Sequence, residues 1–153
     1  ESRNMGNVKE PLMHLVAELP FFACFEKAEI GLLLDAGSWE KVSPGSRIIT
    51  KGEIDLKMFV LVQGQAEVVL HEKVLSVLNT GDIFGEVGLM GAPRMTHVEA
   101  KTDCLLLSFD AEQLNNLPTK LQVIFLRQIL FATFARLQKI NQWDWLRLHT
   151  RKS

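Results

Sequence analysis

Tyrosine is absent from this chain of 153 residues, and cysteine, histidine and net charge are all scarce. The formal net charge of −1 provides no excess of positive charge for binding nucleic acid, so we expect no nucleic-acid partner. The two cysteines, Cys24 and Cys104, form no C-x-x-C pair, which favours buried free thiols in a reducing compartment. These absences are typical of a cytoplasmic protein without a disulfide framework.

Metal-binding and catalytic patterns are also missing. The four histidines are scattered, with no H-x-H pair and no carboxylate at metal-ligand spacing. No G-x-S-x-G elbow occurs, and Glu53 and Asp55 lie in a turn-like segment instead of forming a catalytic carboxylate pair. The sequence therefore predicts a binding module without a metal, and not an enzyme.

No long hydrophobic run is present. The apolar runs, such as residues 58–62 and 129–132, fall far short of the roughly 20 apolar residues that a membrane span needs. The first twenty residues contain several charges and lack the apolar core of a secretory signal. We expect no membrane span, and we interpret residues 1–7 as a disordered or vector-derived N-terminus before a single domain over 8–153.

The remaining patterns predict a mainly β domain with flanking helices. Apolar spacings of three and four predict helices over 8–19 and 26–35. Between residues 38 and 109, roughly eight short apolar runs alternate with Gly- and Pro-containing turns, which indicates an antiparallel sandwich or barrel. Met58–Val62 is apolar on both faces and predicts a strand covered from both sides. The C-terminal helices are predicted over 111–148, as a short helix 111–116 and a long one from Thr119.

The segment Phe84–Arg94, FGEVGLMGAPR, carries the clearest chemistry. It combines glycines, one carboxylate and one guanidinium in a short excursion between strand-like runs. The planar donor fork of Arg matches two phosphate oxygens, and the free amides of a brief helix over 86–91 favour an anion. A carboxylate accepts hydrogen bonds from sugar hydroxyls. These groups together suit a small sugar phosphate.

The order of these motifs resembles the cyclic nucleotide-binding domain, the family of the catabolite activator protein and the regulatory subunits of protein kinase A. The resemblance covers about residues 12–140. It rests on Pro44-Gly45, Lys51-Gly52-Glu53, Asp55, Met58–Leu61, Gly64, Gly81–Glu86, Pro93-Arg94, Val98 and Ala100. It implies an antiparallel β jelly roll with N-terminal helices, a long C-terminal helix and a phosphate-binding cassette from Phe84 to about Thr96.

The resemblance also implies a role for individual residues. Glu86 would accept a hydrogen bond from the ribose 2′-hydroxyl, Arg94 would hold the cyclic phosphate, and the amides of Gly85, Val87 and Gly88 would complete the cradle. Met95 offers only its backbone N–H where relatives have a small residue, which favours cAMP over cGMP as the ligand; the Thr96 hydroxyl could face the same site. The predicted ligand-contacting set is Phe84, Gly85, Glu86, Val87, Gly88, Arg94, Met95 and Thr96.

Two readings of the function stay open at this point. The first is a sensor that reports an occupied site to an effector protein or domain through its C-terminal helix. The second is a ligand-free dimerisation or scaffold module in which Glu86 and Arg94 pair with each other or with neighbouring residues.

The long helix itself predicts an interface. Leu126, Leu130, Thr133, Leu137 and Ile140 form a heptad-like seam, which predicts a homodimer. Packing on the chain's own sandwich is the alternative. Trp143 and Trp145 either stack on a bound base or pack at an interface, and the basic residues at the C-terminus are a solvated tail.

Overall fold

The computed structural model describes the backbone of residues 2–150 and the side chains of residues 10–138. Eight strands form two antiparallel sheets of four strands each within this part of the chain, in the orders β1-β8-β3-β6 and β2-β7-β4-β5. The strands are β1 Ser38–Val42, β2 Arg47–Ile49, β3 Lys57–Gln63, β4 Ala66–Leu70, β5 Lys73–Leu78, β6 Ile83–Phe84, β7 His97–Ala100 and β8 Cys104–Asp110. This is the predicted jelly-roll class, with helices before and after the sheets.

The helices lie at both ends of the chain. They are α1 Ser2–Ala17, α2 Lys27–Ala36, α3 Ala111–Asn115 and α4 Thr119–Thr150, with 3₁₀ helices at Pro20–Phe22 and Glu86–Met90. Asp110 caps α3 because its carboxylate accepts from the Gln113 backbone amide at 2.7 Å, while the Gln113 side-chain oxygen accepts from the Asp110 backbone amide. The caps of α2 and α3 fix where these helices begin.

Strand β3 separates two hydrophobic cores. Its five central residues are all buried, as the apolar run Met58–Val62 predicts. Phe59 and Leu61 face the opposite sheet, whereas Met58, Val60 and Val62 pack against the helices. Strand β3 therefore contributes side chains both to the interior of the sandwich and to the helical layer. Helix α4 packs in that helical layer.

The anchor of α4 is Phe125, which is fully buried. Its ring centroid lies 5.0 Å from that of Phe109 and 5.3 Å from that of Phe21, both in edge-to-face geometry. Such aromatic pairs contribute about 0.5–1.5 kcal/mol beyond their buried area. The first turns of α4 are therefore fixed to the domain.

The opposite face of α4 is exposed and apolar. Among the described side chains, the seam predicted from the sequence is wrong at Thr133, which faces the domain. Thr133 is partly buried, whereas Phe134, four residues after Leu130 and three before Leu137, is exposed, so the exposed stripe passes through Phe134 instead. We call this set the α4 stripe: Val123, Leu126, Leu130, Phe134 and Leu137, each at least half exposed. Ile140, Trp143, Trp145 and the basic tail lie outside the described side chains.

Two further expectations need correction. Helix α1 begins at Ser2, six residues before the predicted start, and it ends at Ala17, just before the 3₁₀ turn that begins at Pro20. Adding a residue to a formed helix is far easier than nucleating one, and the helix extends to Ser2 although Gly6 and Pro11 both lie within it. Cys104 is buried as expected, but Cys24 is exposed.

Candidate functional site

The cassette is a tight loop between β6 and β7. Gly85 caps the 3₁₀ helix Glu86–Met90 at one end and Gly91 at the other, with φ of 72° and 76°. Glycine adopts this left-handed conformation without steric cost, which is why the loop needs it at both ends. The two glycines hold Glu86 and Arg94 on either side of one short helical turn.

Phe84 is a core residue. Its side chain is 3% exposed and its ring stacks on Phe59 with centroids 5.2 Å apart. It fixes the start of the cassette from within the sandwich. Phe84, which the sequence predicts to contact the ligand, therefore packs its side chain into the core.

Arg94 is buried, and four of its five N–H groups donate hydrogen bonds. Its Nε and Nη2 donate to the two Asp55 carboxylate oxygens at 3.1 and 2.6 Å, in a fork-to-fork pair. Nη1 donates to the Gly85 carbonyl at 2.7 Å and Nη2 to the Lys57 carbonyl at 2.6 Å. Burying a guanidinium is costly unless its donors are satisfied, and these four bonds satisfy that requirement.

The pKa of Asp55 reflects this pair. Burial raises it, but the hydrogen bonds from Arg94 and from the Lys57 amide outweigh burial and hold the pKa below its usual range. Sequence reasoning treated Asp55 as a turn residue and missed it. A buried arginine needs a carboxylate, but the partner lies 39 residues away along the chain and only the fold brings the two together.

Two glycines leave the space that the guanidinium fills. A Cβ added at Gly88 would lie 2.5 Å from Arg94 Nη2 and 2.4 Å from the Lys57 carbonyl oxygen. A Cβ at Gly85 would lie 2.9 Å from Arg94 Nη1. Both glycines are thus required for the close approach of the cassette backbone to Arg94.

Glu86 is half satisfied. Its Oε1 accepts from Thr133 Oγ1 at 3.5 Å and from Arg136 Nη1 at 3.4 Å, both long contacts. Its Oε2 is buried and accepts no hydrogen bond among the described residues. Buried carboxylate oxygens are rarely left without a donor, so this atom marks a place where a donor is missing.

Helix α4 covers the cassette at this point. Arg136 also donates to the Ile83 carbonyl, so the helix contacts β6 and the cassette through one side chain. Thr133 and Arg136 are three apart and share a helix face. Glu86 and Arg94 do not pair with each other: each pairs with a residue of another element, which is the other arrangement that the ligand-free interpretation allows.

The backbone amides differ in availability. The Gly88 amide donates to the Gly85 carbonyl at 3.0 Å, so it is not free for a phosphate, contrary to the sequence-based expectation. The Val87 side chain is about half exposed and Met95 is 79% exposed, whereas Thr96 is half buried. The side chains of Val87 and Met95 therefore point largely to solvent.

Neither metal binding nor membrane insertion is indicated by the described residues. Among side chains 10–138, no three His, Cys, Asp or Glu residues approach closely enough to hold a metal ion. In the same part of the chain, no helix combines the length and apolar character needed to cross a bilayer.

Known proteins show the same domain. A family described as "Cyclic nucleotide-binding domain" matches residues 39–120. The cAMP-dependent protein kinase type II regulatory subunit of Drosophila melanogaster is 31% identical over 102 residues, which cover 66% of this chain and 27% of that protein. The chain thus spans about a quarter of the length of this relative.

Solved structures support the fold. A structure of PKAR CBD2 bound to Sp-2Cl-cAMPS superimposes with a TM-score of 0.72 at 22% identity, covering 91% of this chain and 93% of that one. The catabolite activator protein of Thermus thermophilus gives 0.71 at 21% identity, covering 84% and 63% respectively. With the sequence match over more than half its length, the chain belongs to the cyclic nucleotide-binding domain family.

Proposed function

We propose that this domain is a regulatory cyclic-nucleotide sensor, with cAMP as its ligand, and that it signals through α4. The observation that supports this best is the buried Glu86 Oε2 without a donor. A ribose 2′-hydroxyl is a donor of the right kind, because a carboxylate accepts a short, charge-assisted hydrogen bond from a hydroxyl. The domain binds and regulates in this proposal and does not catalyse.

The phosphate would lie beside Arg94. The four hydrogen bonds of Arg94 use four of its five N–H groups and leave one on Nη1. The charge of a cyclic phosphate would face this side of the guanidinium. The amides of Gly85, Val87 and Met95 are the remaining candidate donors, since the Gly88 amide is already used.

Signalling would follow from competition for Glu86. A ribose hydroxyl bound there would weaken the long contacts from Thr133 and Arg136, which hold the middle of α4 over the cassette. Phe125 keeps the start of the helix in place. A ligand shifts such an equilibrium only by its differential affinity for the two helix positions, and the Glu86 contacts supply that difference.

The preference for cAMP is the finer part of the proposal. Met95, directly after Arg94, has no hydroxyl and its side chain is 79% exposed, so it offers a purine substituent no polar contact. We expect cAMP to bind more tightly than cGMP. A cytoplasmic location and an effector protein or domain downstream of α4 complete the proposal.

The α4 stripe supports a homodimer. Its five apolar side chains face away from the domain, and exposed apolar surface of this extent on a helix indicates an interface. Replacing Leu126 and Leu130 by Gln is expected to convert a dimer into a monomer in sedimentation equilibrium. A wild-type protein that sediments as a monomer at high micromolar concentration would remove the dimer from the proposal.

A thermal melt against cAMP and cGMP tests the ligand. At 100 times its dissociation constant a ligand stabilises the native state by about 2.7 kcal/mol, a shift of several degrees for a domain of this size. The ligand-free scaffold predicts no shift with either nucleotide at millimolar concentration, and that result would favour it.

Calorimetry then tests Arg94. Replacement by Ala is expected to weaken cAMP binding at least about tenfold, since a charge-assisted bond contributes about 1.5–3 kcal/mol and tenfold corresponds to about 1.4. Arg94→Lys separates charge from geometry. It keeps the positive charge but loses the planar donor fork, and it should also lose affinity. Equal affinity of Arg94→Ala and wild type would remove Arg94 from its role.

A further inference from the structure

Leu56 has a backbone conformation that bulky residues rarely adopt. Its φ is 58°, in the left-handed region, and it is not a glycine. A residue held in this region is strained and keeps the conformation only where the surrounding structure fixes it, and such residues concentrate at functional sites. The Leu56 side chain is 45% exposed, so packing of the side chain alone does not explain the conformation.

Both neighbours of Leu56 contact the same guanidinium. Asp55 gives its two carboxylate oxygens to Arg94, and Lys57 gives its carbonyl oxygen. The Lys57 amide also donates to Asp55 Oδ1 at 3.1 Å, which fixes the carboxylate within the bend. The bend at Leu56 therefore turns a side chain and a backbone carbonyl onto one charged group.

The same bend contacts two other elements. The Leu56 carbonyl accepts from the Ala111 amide, at the start of α3, at 3.1 Å. The Lys57 carbonyl lies against Gly88 of the cassette, where an added Cβ would come within 2.4 Å. A change of the Leu56 backbone would thus alter the surroundings of Arg94 and of the first residue of α3 together.

We propose that Leu56 is a positioning residue for Arg94: its left-handed backbone holds the Asp55 carboxylate and the Lys57 carbonyl on the guanidinium. For cAMP affinity the inference rests on the function proposed above. For the geometry of the ligand-free protein, the inference does not depend on that function. Residues that tolerate positive φ, such as Asn, keep the bend, whereas β-branched Val favours an extended backbone and releases it.

Leu56→Val and Leu56→Asn separate positioning from packing. Val resembles Leu in apolar character, so packing alone predicts that Val is tolerated better than Asn. Positioning predicts the reverse order. We expect Leu56→Asn to keep cAMP affinity within about twofold of wild type, and Leu56→Val to weaken it about tenfold, which corresponds to about 1.4 kcal/mol.

A second measurement works without any nucleotide. NMR titration of the Asp55 carboxyl should show a depressed pKa in wild type and in Leu56→Asn, because Arg94 remains its partner. In Leu56→Val the Asp55 pKa should return to its ordinary range. Leu75→Val is the matched control, since Leu75 is 56% exposed but has no positive φ, and it should change neither readout.

The outcomes distinguish the two proposals. If wild type binds no cyclic nucleotide, the proposed function fails, while the Asp55 titration still tests Leu56. A depressed Asp55 pKa in Leu56→Val, or a melting temperature of Leu56→Asn below that of Leu56→Val, would overturn the positioning role. If Leu56→Val does not fold while Leu56→Asn melts like wild type, Asn is tolerated better than Val, and the positioning role is supported.

Discussion

Arg94 and Glu86 belong to the same cassette, but their surroundings differ. Arg94 makes four hydrogen bonds, all to the domain itself, and its side chain is 2% exposed. Glu86 has two long contacts, both from α4, and one buried oxygen without a donor among the described residues. Without a ligand, Arg94 already has most of its hydrogen bonds, whereas one carboxylate oxygen of Glu86 has no donor among the described residues.

This difference assigns different tasks to the two sides. The network around Arg94 stabilises the cassette whether or not a ligand is bound, so changes there should affect stability first. The contacts around Glu86 are weak and can be exchanged, so changes there should affect affinity and the position of α4. Four predictions test this division, in order of decreasing effect.

Gly88→Ala should lower the free energy of unfolding most, because it disrupts the contacts around Arg94. Its Cβ would lie 2.4 Å from the Lys57 carbonyl oxygen, and overpacking of this kind costs about 2–3 kcal/mol. Urea denaturation measures the free energy of unfolding of each variant. Gly31→Ala is the control, because the nearest atom to its added Cβ is Met13 Cε at 3.6 Å, and it should be neutral or stabilising. Equal stability of both variants would contradict the close approach.

Asp55→Asn should lower the free energy of unfolding by about 2 kcal/mol, because it removes charge-assisted hydrogen bonds from a buried guanidinium. The exposed pair Arg47–Glu99, at 3.4 Å, offers the comparison: Glu99→Gln should cost less than about 0.5 kcal/mol. The same urea experiment measures both. Similar losses would mean that burial of Arg94 contributes nothing to the strength of its pair.

The stabilisation from Asp55 should depend on pH. Because the folded-state pKa is depressed, the contribution is fully present above the unfolded-state pKa of about 3.9 and is lost as pH falls through the lower folded-state pKa. The stability difference between wild type and Asp55→Asn should therefore narrow below about pH 4. Urea unfolding of both proteins at a series of pH values from 7 to 3 measures this difference. A stability difference that does not change with pH would argue against the pairing of Asp55 with Arg94.

Arg136→Gln should have the smallest effect, and on affinity instead of stability. It removes the Arg136 contacts to Glu86 Oε1 and to the Ile83 carbonyl, which hold α4 over the cassette, so α4 should give way to the ligand more easily and cAMP affinity should rise about two- to fivefold. Arg127→Gln, at an exposed position earlier on α4, is the control and should leave affinity unchanged. A loss of affinity in Arg136→Gln would show that Arg136 assists binding.

The sequence predicts most of the fold because local signals agree with it. Turn glycines separate the strands, and Gly45, Gly52, Gly64 and Gly81 all have positive φ. The apolar run of β3 predicts burial on both faces correctly. The sequence does not predict the start of α1 at Ser2, because Gly6 and Pro11 both disfavour a helix interior and yet lie within it.

The site is predicted only in part, since its partners come from distant segments. Gly85, Glu86 and Arg94 stand in one short motif and are found together. Asp55 and Arg136 reach the same loop from other elements, and only tertiary structure brings them there. Thr133 carries a faint signal: a polar residue within an apolar helix, three residues before an arginine.

The direct test of the account is whether Glu86 Oε2 accepts from the ribose. Isothermal titration of cAMP and 2′-deoxy-cAMP into wild type and Glu86→Gln measures it, since a charge-assisted hydrogen bond contributes about 1.5–3 kcal/mol. The account predicts that wild type favours cAMP at least about tenfold, and that Glu86→Gln loses most of this preference. Equal affinity of wild type for the two nucleotides would contradict it.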